Sequence, residues 1–491
     1  MRSRRHAPLT VPGFVAVCIL AAQACDENRV PVAPAPAGVE ASKVGNLFQF
    51  ADPTGAIATY STNGALDNGN PFFQSLGTNG RSCATCHLAS DAFGLSAVSA
   101  QARFAATGGT DPMFAAVDGA NCPTATPADG PAAYSLMRDH GLVRVALPVP
   151  AGAEYTLEVV HNPYGCALAG GAVSVYRRPL PATNLSFISA VMFDGRESVQ
   201  PLTSPGTYLQ NLQTDLAHQA MDATLGHAQA TSSPSAAQLS AIVSFELALF
   251  TAQVVDDAAG ELTAQGASGG PVPLADQPFF PGINDPLGGN PTGAPFNPAA
   301  FSIFARWADL SSGGRYAAAR AAVARGEVIF NTHPIAITDV KGLNDVNLPV
   351  INGTCTTCHD TPNVGDHSLP VPLDIGTSHA PGLESNPRIA AALAQLSVPD
   401  LPVYRLTCIT GPLAGTVSYS TDPAKALLSG RCADIGRGKG PILRGLAARA
   451  PYFHNGAAAT LAEAVNFYNE RFHMTLTELE KADLVAFLRS L

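Results

Sequence analysis

The chain has 491 residues, of which 46% are hydrophobic and 13% charged, with 45 Gly and 40 Pro. This length exceeds what one core usually serves, and the composition argues against disorder, so we expect two main, loop-rich domains. The formal net charge of −10 argues against a nucleic-acid partner, because phosphate binding needs a basic face.

Residues 1–25 have the pattern of a secretory signal peptide. Three arginines within the first five residues form a basic head, and the apolar run 11–22 is too short to span a membrane. The residues before Cys25 also resemble a bacterial lipoprotein cleavage site, with lipidation of Cys25; ordinary cleavage nearby is the alternative. We therefore expect an exported, periplasmic protein in which residues 26–45 form a Pro/Ala-rich tether.

The rest of the chain predicts a mainly α protein with two domains. The first spans 46–255 and the second 301–491, and a Gly/Pro/Asn-rich linker at 256–300 joins them. Short strand-like runs split by Pro and Gly predict a small β-rich insertion at about 142–178. A capping-box signature and an apolar stripe predict a helix over 235–253.

Helical periodicity also marks the second domain. It predicts one helix over 315–330 and two more at the C-terminal end, over 460–470 and 475–491.

The pattern C-x-x-C-H occurs twice, at 83–87 and at 355–359. It is the signature of c-type haem attachment, because two thiols at this spacing add to the porphyrin vinyl groups and the histidine lies under the iron. A zinc site would need further paired ligands, and none is evident. The sequence therefore predicts two covalently bound haems c, attached through Cys83, Cys86, Cys355 and Cys358, with His87 and His359 as proximal ligands.

Four cysteines remain outside the signal peptide and the motifs. In an exported chain an even remainder predicts disulfides. The pairing between sequence neighbours is Cys122–Cys166 and Cys408–Cys432, although spacing alone leaves the connectivity open.

Three further segments carry a family resemblance. KGPILRGLAARAPYFHNGAAATLAEAVNFYNERF (439–472), VMFDGRES (191–198) and RSCATCH (81–87) occur in an order that is specific in combination. Together they resemble the bacterial di-haem cytochrome c peroxidase and MauG family. The resemblance covers most of 72–105, 185–255 and 320–491, and it implies two cytochrome c-like haem domains.

The resemblance implies a division of labour between the haems. The N-terminal haem reacts with hydrogen peroxide, and the C-terminal haem receives electrons from a small redox protein, a cytochrome c or a cupredoxin. Tyr468 stands where the family carries the second ligand of the C-terminal iron, and Met474 is the alternative ligand. A core tyrosine with a satisfied hydroxyl is the structural alternative for Tyr468. The family also holds calcium between its domains, and the motifs identify no ligands for it here.

The chain departs from the family between the haems. The family usually has Trp before the DGR triplet, where it helps electrons to hop, whereas this chain has Phe193. Arg196 and Arg444 are candidates to bind haem propionates, because a guanidinium matches the fork of a carboxylate. Ordinary salt bridges are the alternative for both arginines.

A peroxidase also needs a side chain that moves a proton between the peroxide oxygens. The family's glutamate motif is not visible in this chain. The candidates are His227 and Glu246, with His218 as a weaker choice, and His227 could instead be the sixth ligand of the first iron. Glu246 lies in an apolar helical stripe, where a carboxylate is either paired with an arginine or has a raised pKa.

The sequence thus predicts a di-haem oxidoreductase of the peroxidase type. The alternatives are a MauG-like oxidase that acts on a partner protein and an electron-transfer cytochrome that is not an enzyme. The oligomeric state stays open.

Overall fold

The computed structural model describes residues 42–44, 46–309 and 314–491, which fall within one compact unit. The predicted signal peptide, the lipidation site and most of the tether lie outside the described residues. The division into two haem domains and a linker stays a prediction. The α-helices are α1 (Ala97–Thr107), α2 (Ser135–His140), α3 (Tyr208–Gly226), α4 (Ala236–Leu247), α5 (Pro271–Ala275), α6 (Ala317–Thr332), α7 (Pro387–Leu393), α8 (Ala426–Ser429), α9 (Leu461–Phe472) and α10 (Glu478–Arg489).

The strands form four antiparallel sheets in the described part of the chain. They are β1 (Ser42–Val44), β2 (Leu47–Asp52), β3 (Gly55–Ser61), β4 (Val143–Pro148), β5 (Tyr155–His161), β6 (Leu168–Ala169), β7 (Ala172–Arg177), β8 (Leu249–Asp256), β9 (Gly260–Glu261), β10 (Ile335–Ile337), β11 (Ile351–Gly353), β12 (Val403–Cys408) and β13 (Val417–Ser420).

The prediction of a mainly α fold is wrong. Only 32% of the described residues are helical, and 16% lie in strands or bridges. Many helices are single turns, because Pro and Gly interrupt them, and strands outside the predicted insertion supply most of the extra β structure.

A five-stranded sheet, in the order β1-β2-β3-β8-β9, closes the N-terminal half. The predicted helix over 235–253 is correct only for its first part, with the capping box of Ser235 and Gln238 in place. Helix α4 ends at Leu247, and residues 249–256 become strand β8. The run LFTAQVVD is rich in β-branched residues and pairs along its length with β3, so sheet pairing overrides helical periodicity.

The predicted β insertion is present, and it is not self-contained. Strands β4, β7 and β6 form one sheet, whereas β5 pairs with β12 of the C-terminal half in a sheet ordered β13-β12-β5. Disulfides Cys122–Cys166 and Cys408–Cys432 flank this region. Each of them joins cysteines that are neighbours in the sequence. The insertion therefore joins the two halves of the chain.

The largest core cluster fills the C-terminal half. Helices α6 and α10 pack along each other, and Gly326 lies so close to the Asp483 backbone that a Cβ there would clash. The three helices predicted in this half are confirmed as α6, α9 and α10. In the described part of the chain, no helix combines the length and the apolar character that crossing a bilayer requires.

Candidate haem sites

The two C-x-x-C-H motifs fold in the same way. Each begins as a single 3-10 turn, Cys83–Thr85 and Cys355–Thr357. The amide of each motif histidine donates a 3.0 Å hydrogen bond to the carbonyl of the first motif cysteine. Two short segments of the same spacing therefore present their thiols and imidazoles in the same local frame.

The two motif histidines are held by equivalent contacts. His87 Nδ1 lies 3.0 Å from the carbonyl oxygen of Phe93, and His359 Nδ1 lies 2.6 Å from that of Gly365, each six residues further along. A carbonyl only accepts, so Nδ1 carries the proton and Nε2 keeps its lone pair. Burial lowers the pKa of both imidazoles. Each histidine is thus a neutral, oriented imidazole whose Nε2 lone pair is available to a metal, as a proximal ligand requires.

The four motif cysteines are free thiols, whereas the other four described cysteines are paired. Burial raises the pKa of Cys83, Cys355 and Cys358 to about 12. Among the described residues, none of the clusters with metal-ligand spacing includes a motif cysteine. The cysteines therefore fit thioether attachment better than they fit a zinc site.

The first motif opens into the main cavity, which encloses about 1560 Å³ with its mouth included. Cys83, Cys86 and His87 line it, and most of its wall is apolar. Basic side chains also reach it, namely Arg81, Arg177, Arg178, Arg196 and Lys439. An apolar slot with a basic margin suits a porphyrin with two propionates.

His227 lines this cavity and is held by a buried carboxylate. Its Nδ1 contacts Asp118, which also forms an ion pair with Arg81. These two partners hold the pKa of Asp118 below its usual value despite its burial. The ionised carboxylate therefore fixes the proton on Nδ1 and leaves Nε2 of His227 free.

Glu246 lines the same cavity, and it has no ion-pair partner among the described residues. The expected pairing with an arginine is absent there, and Oε2 makes no hydrogen bond. Burial raises the pKa of Glu246 to about 8. The side chain is thus a proton-carrying acid near neutral pH, close enough to Cys83 for their charges to interact.

Two other candidates have partners of their own. His218 does not line the cavity; its Nδ1 lies 2.7 Å from Glu197, and its side chain is 39% exposed. Arg196 reaches the cavity, but it also lies 3.2 Å from Asp194 and 3.7 Å from Glu197. A salt bridge and a propionate contact are therefore both open to Arg196.

Phe193 links the first cavity to the C-terminal half. Its ring stacks on His454, with centroids 4.3 Å apart and planes 9° from parallel. The guanidinium of Arg177 lies over the Phe193 ring, 5.3 Å from its centroid. Arg177 also forms ion pairs with Asp194 and Asp422. The residue at the position of the family tryptophan is therefore half-buried and packed between an imidazole and a guanidinium.

Tyr468 lies in α9 and packs on the core that contains Cys355 and Cys358. Burial, followed by the two cysteines, raises the pKa of its phenol. The phenol oxygen makes no hydrogen bond within the described residues, in contrast to the buried Tyr404, which donates to two carbonyls. Because the side chain is only partly buried, both roles predicted for Tyr468, iron ligand and core tyrosine, stay open.

Met474 and Arg444 also lie in the C-terminal half. Met474 is buried in the same core cluster as Tyr468. Arg444 is 2% exposed; its Nε donates to the carbonyl of Asn363, and both terminal nitrogens lack partners among the described residues. Burial lowers its pKa to about 10. An orphaned guanidinium in a buried setting is a natural partner for a haem propionate.

The residues present therefore fit two covalent haems. Each motif offers two unpaired thiols and one oriented imidazole. Basic side chains line the first cavity, and two nitrogens of Arg444 lack partners in the described part of the C-terminal half. The side-chain roles assigned from the sequence to the arginines, Tyr468, Met474, His227 and Glu246 stay predictions.

Comparison with known proteins gives partial matches. The cytochrome-c peroxidase IdrP2 of Denitromonas iodatirespirans is 32% identical over 147 residues, covering 28% of this chain and 36% of that protein. The protein of the same name from Pseudomonas sp. (strain SCT) is 30% identical over 145 residues, covering 28% and 35%. Over these stretches the chain is similar to bacterial proteins named cytochrome-c peroxidase. This confirms the family resemblance of the motifs.

The matches span about a third of the length of these curated relatives. The cytochrome-c peroxidase IdrP1 of D. iodatirespirans is 42% identical over 69 residues, covering 12% of this chain and 18% of that protein. No protein-family model matches the chain. A solved structure, a MauG-like protein associated with microbial copper homeostasis, aligns with 86% of this chain and 87% of its own at 13% identity, with a TM-score of 0.32.

Two groups near the first motif were not found from the sequence. Asp118 contacts His227, which lies 109 residues further along the chain. Lys439 is half-buried in the cavity wall, and desolvation lowers its pKa to about 8. For Asp118 the sequence gives no signal, whereas Lys439 begins the segment that carries the family resemblance.

Proposed function

We propose that the chain is a di-haem c-type oxidoreductase that reduces hydrogen peroxide with electrons from a small periplasmic redox protein. The observation that carries this proposal is the first cavity, which brings Cys83, Cys86 and His87 together with His227 and Glu246. A haem iron with one open axial position supplies peroxide binding and electron exchange. The protein must add the proton handling.

His227 is the first proton-handling group that we assign. Asp118 holds Nδ1 protonated, so Nε2 can accept a proton from bound peroxide and return it to the departing oxygen. Each turnover consumes one peroxide, two electrons and two protons and releases two waters. The buried Asp118–Arg81 pair keeps the imidazole in place through this cycle.

Glu246 is the second proton-handling group. Its pKa of about 8 keeps it protonated at neutral pH, so it can donate one of the two protons that the reaction consumes. No described basic group pairs with it, and therefore no ion pair has to break before the proton moves.

We assign electron relay to the C-terminal site. His359 would hold that iron together with Tyr468, or with Met474 as the alternative to Tyr468, and Arg444 would bind a propionate. The Phe193–His454 stack lies between the two halves. Because phenylalanine is hard to oxidise, we assign this stack to packing and not to electron hopping.

The proposed setting is the periplasm, with or without a lipid on Cys25. A cytochrome c or a cupredoxin would donate the electrons, and the net charge of −10 favours a donor with a basic docking face. Calcium between the domains is part of the family pattern and is not assigned here.

Peroxide turnover combined with low-temperature electron paramagnetic resonance tests this proposal. We expect turnover with a reduced cytochrome donor, and one high-spin plus one low-spin ferric signal. Two low-spin signals in every redox state, with no turnover after reduction, would instead identify an electron-transfer cytochrome.

A MauG-like oxidase acting on a partner protein is the second candidate. The place of Tyr468 favours it, because its phenol lies close enough to Cys355 and Cys358 for their charges to interact, and a tyrosine ligand is the MauG-type feature. Peroxide consumption that requires a protein co-substrate, with no turnover of reduced cytochrome, would select this alternative.

A further inference from the structure

Three buried side chains meet beside the second motif. Asp285 comes from the segment 281–289, and Asp360 and His367 come from the loop that follows His359. Their exposed fractions are 2%, 0% and 3%, and one potential ligand atom from each lies within 4.8 Å of the others. This cluster is separate from the cavity of the first motif.

Both carboxylates are half satisfied. Asp285 Oδ2 accepts from the amides of Leu287 and Gly289, at 3.0 and 2.7 Å, while Oδ1 has no hydrogen-bond partner among the described residues. Asp360 Oδ1 accepts from the Ser368 amide at 2.7 Å, while Oδ2 has no such partner. Each carboxylate is thus fixed by one oxygen and leaves the other one open.

The cluster lacks a neutralising cation in the described residues. No lysine or arginine there pairs with Asp285 or Asp360, although two buried carboxylates without a counter-charge are costly. His367 Nδ1 lies 3.6 Å from Asp360 Oδ2. Two ligands of one tetrahedral ion, each about 2.0–2.2 Å from it, lie roughly 3.4 Å apart, so this spacing suits a shared ion.

The backbone holds the two segments together before any ion binds. The Asn284 side chain donates to the carbonyl of Asp360 at 3.1 Å, and the Gly282 amide donates to that of Ser368 at 3.0 Å. The Leu369 amide makes a long, 3.3 Å contact with His367 Nδ1, and a cation would compete for that lone pair. The ligands are therefore largely preorganised.

We propose that Asp285, Asp360 and His367 bind a divalent transition-metal cation of the Zn²⁺ or Mn²⁺ class. Two carboxylate oxygens and an imidazole nitrogen favour these ions over Ca²⁺ and Mg²⁺, which prefer oxygen ligands alone. The ion would tie the segment 281–289 to the loop whose Gly365 carbonyl orients His359. This proposal does not depend on the peroxidase proposal.

Metal analysis of the full-length protein tests the site. After incubation with Zn²⁺ or Mn²⁺ and removal of loose metal, we expect about one equivalent per chain by mass spectrometry of the metal. Asp285→Asn keeps the side-chain shape and should lower this content at least tenfold. Asp222→Asn is the matched control, because Asp222 belongs to the other candidate cluster, with Glu197 and His218, and is exposed.

A stability measurement covers the case in which Asp285→Asn fails to fold. A chelator should lower the melting temperature of the wild-type protein, and Zn²⁺ or Mn²⁺ should restore it. The proposal is overturned if the wild type takes up neither ion, if Asp285→Asn binds as much as the wild type, or if Ca²⁺ alone binds.

Discussion

The two C-x-x-C-H regions share a local structure and differ in everything around it. Both form the same turn, and both histidines donate Nδ1–H to a carbonyl six residues on. The first opens into a cavity with His227 and Glu246, whereas the second lies beside a partly buried tyrosine, Tyr468. Attachment chemistry is therefore set by each motif and the short segment that follows it, and we expect reactivity to be set by segments far along the chain.

Removing each pair of thiols is the largest test of this contrast. Cys83→Ala/Cys86→Ala and Cys355→Ala/Cys358→Ala should each halve the covalent haem content, measured by the pyridine haemochrome spectrum. Both double variants should lose more than about 10³-fold in peroxide turnover, because one lacks the reactive site and the other the electron relay. Only Cys355→Ala/Cys358→Ala, which keeps the first site, should keep a peroxide-induced spectral change. The same response in both would remove the division of labour.

The two histidines after FDGR provide a matched pair. His227→Gln should lower kcat about 10²- to 10⁴-fold with little change in haem content, because it removes the proton-transfer group in the cavity. His218→Gln should leave kcat unchanged, since His218 pairs with Glu197 away from the cavity. Steady-state kinetics with a reduced cytochrome check both. Equal losses would contradict the assignment of His227.

Glu246 predicts a pH-dependent stability. Its pKa rises from the usual 4.5 to about 8 in the folded state, so the folded protein binds the extra proton and loses stability as pH rises between these values. Glu246→Gln should therefore be more stable than the wild type by on the order of 3 kcal/mol at pH 7. The difference should vanish below about pH 4.

Denaturant unfolding at several pH values checks this gain. Glu384→Gln is the control, because the hydrogen bond with His379 holds the pKa of Glu384 below its usual value despite partial burial, so its charged form stabilises the folded state. That variant should be destabilised at pH 7. A destabilised Glu246→Gln at the same pH would show that Glu246 is paired.

Tyr468→Phe should have the smallest effect. It should shift the absorption spectrum and reduction potential of the C-terminal haem while haem content stays constant, because only the phenol oxygen is removed. Tyr404→Phe is the control, since that hydroxyl bonds to carbonyls in the β insertion. An unchanged spectrum in Tyr468→Phe would leave Met474 as the candidate ligand.

Short-range features of the chain were predictable, and contacts between distant segments were not. The haem motifs, the helix cap at Ser235 and the three C-terminal helices depend on residues within a few positions of one another. The Asp118–His227 contact and the pairing of β3 with β8 join segments far apart in sequence. The strand at 249–256 has an apolar pattern that also fits a helix, and only its partner strand decides between them.

Contacts between segments that are far apart in sequence also explain the outcome at Glu246. An apolar stripe predicts either an ion pair or a raised pKa, and the choice depends on which groups the fold brings near. The cluster of Asp285, Asp360 and His367 is another case, because its members are spread over 83 positions and only the two loop residues are close in sequence.

The strand shared between the halves has a consequence for how the protein reaches its native state. Strand β5 pairs with β12 in a register that places Glu158 opposite Arg405, which are 247 residues apart. Such pairing closes a very long loop, which slows folding. During synthesis β5 would remain an unpaired strand until the C-terminal half emerges, and it would be exposed to wrong partners. We therefore expect the N-terminal half, produced alone, to aggregate through β5.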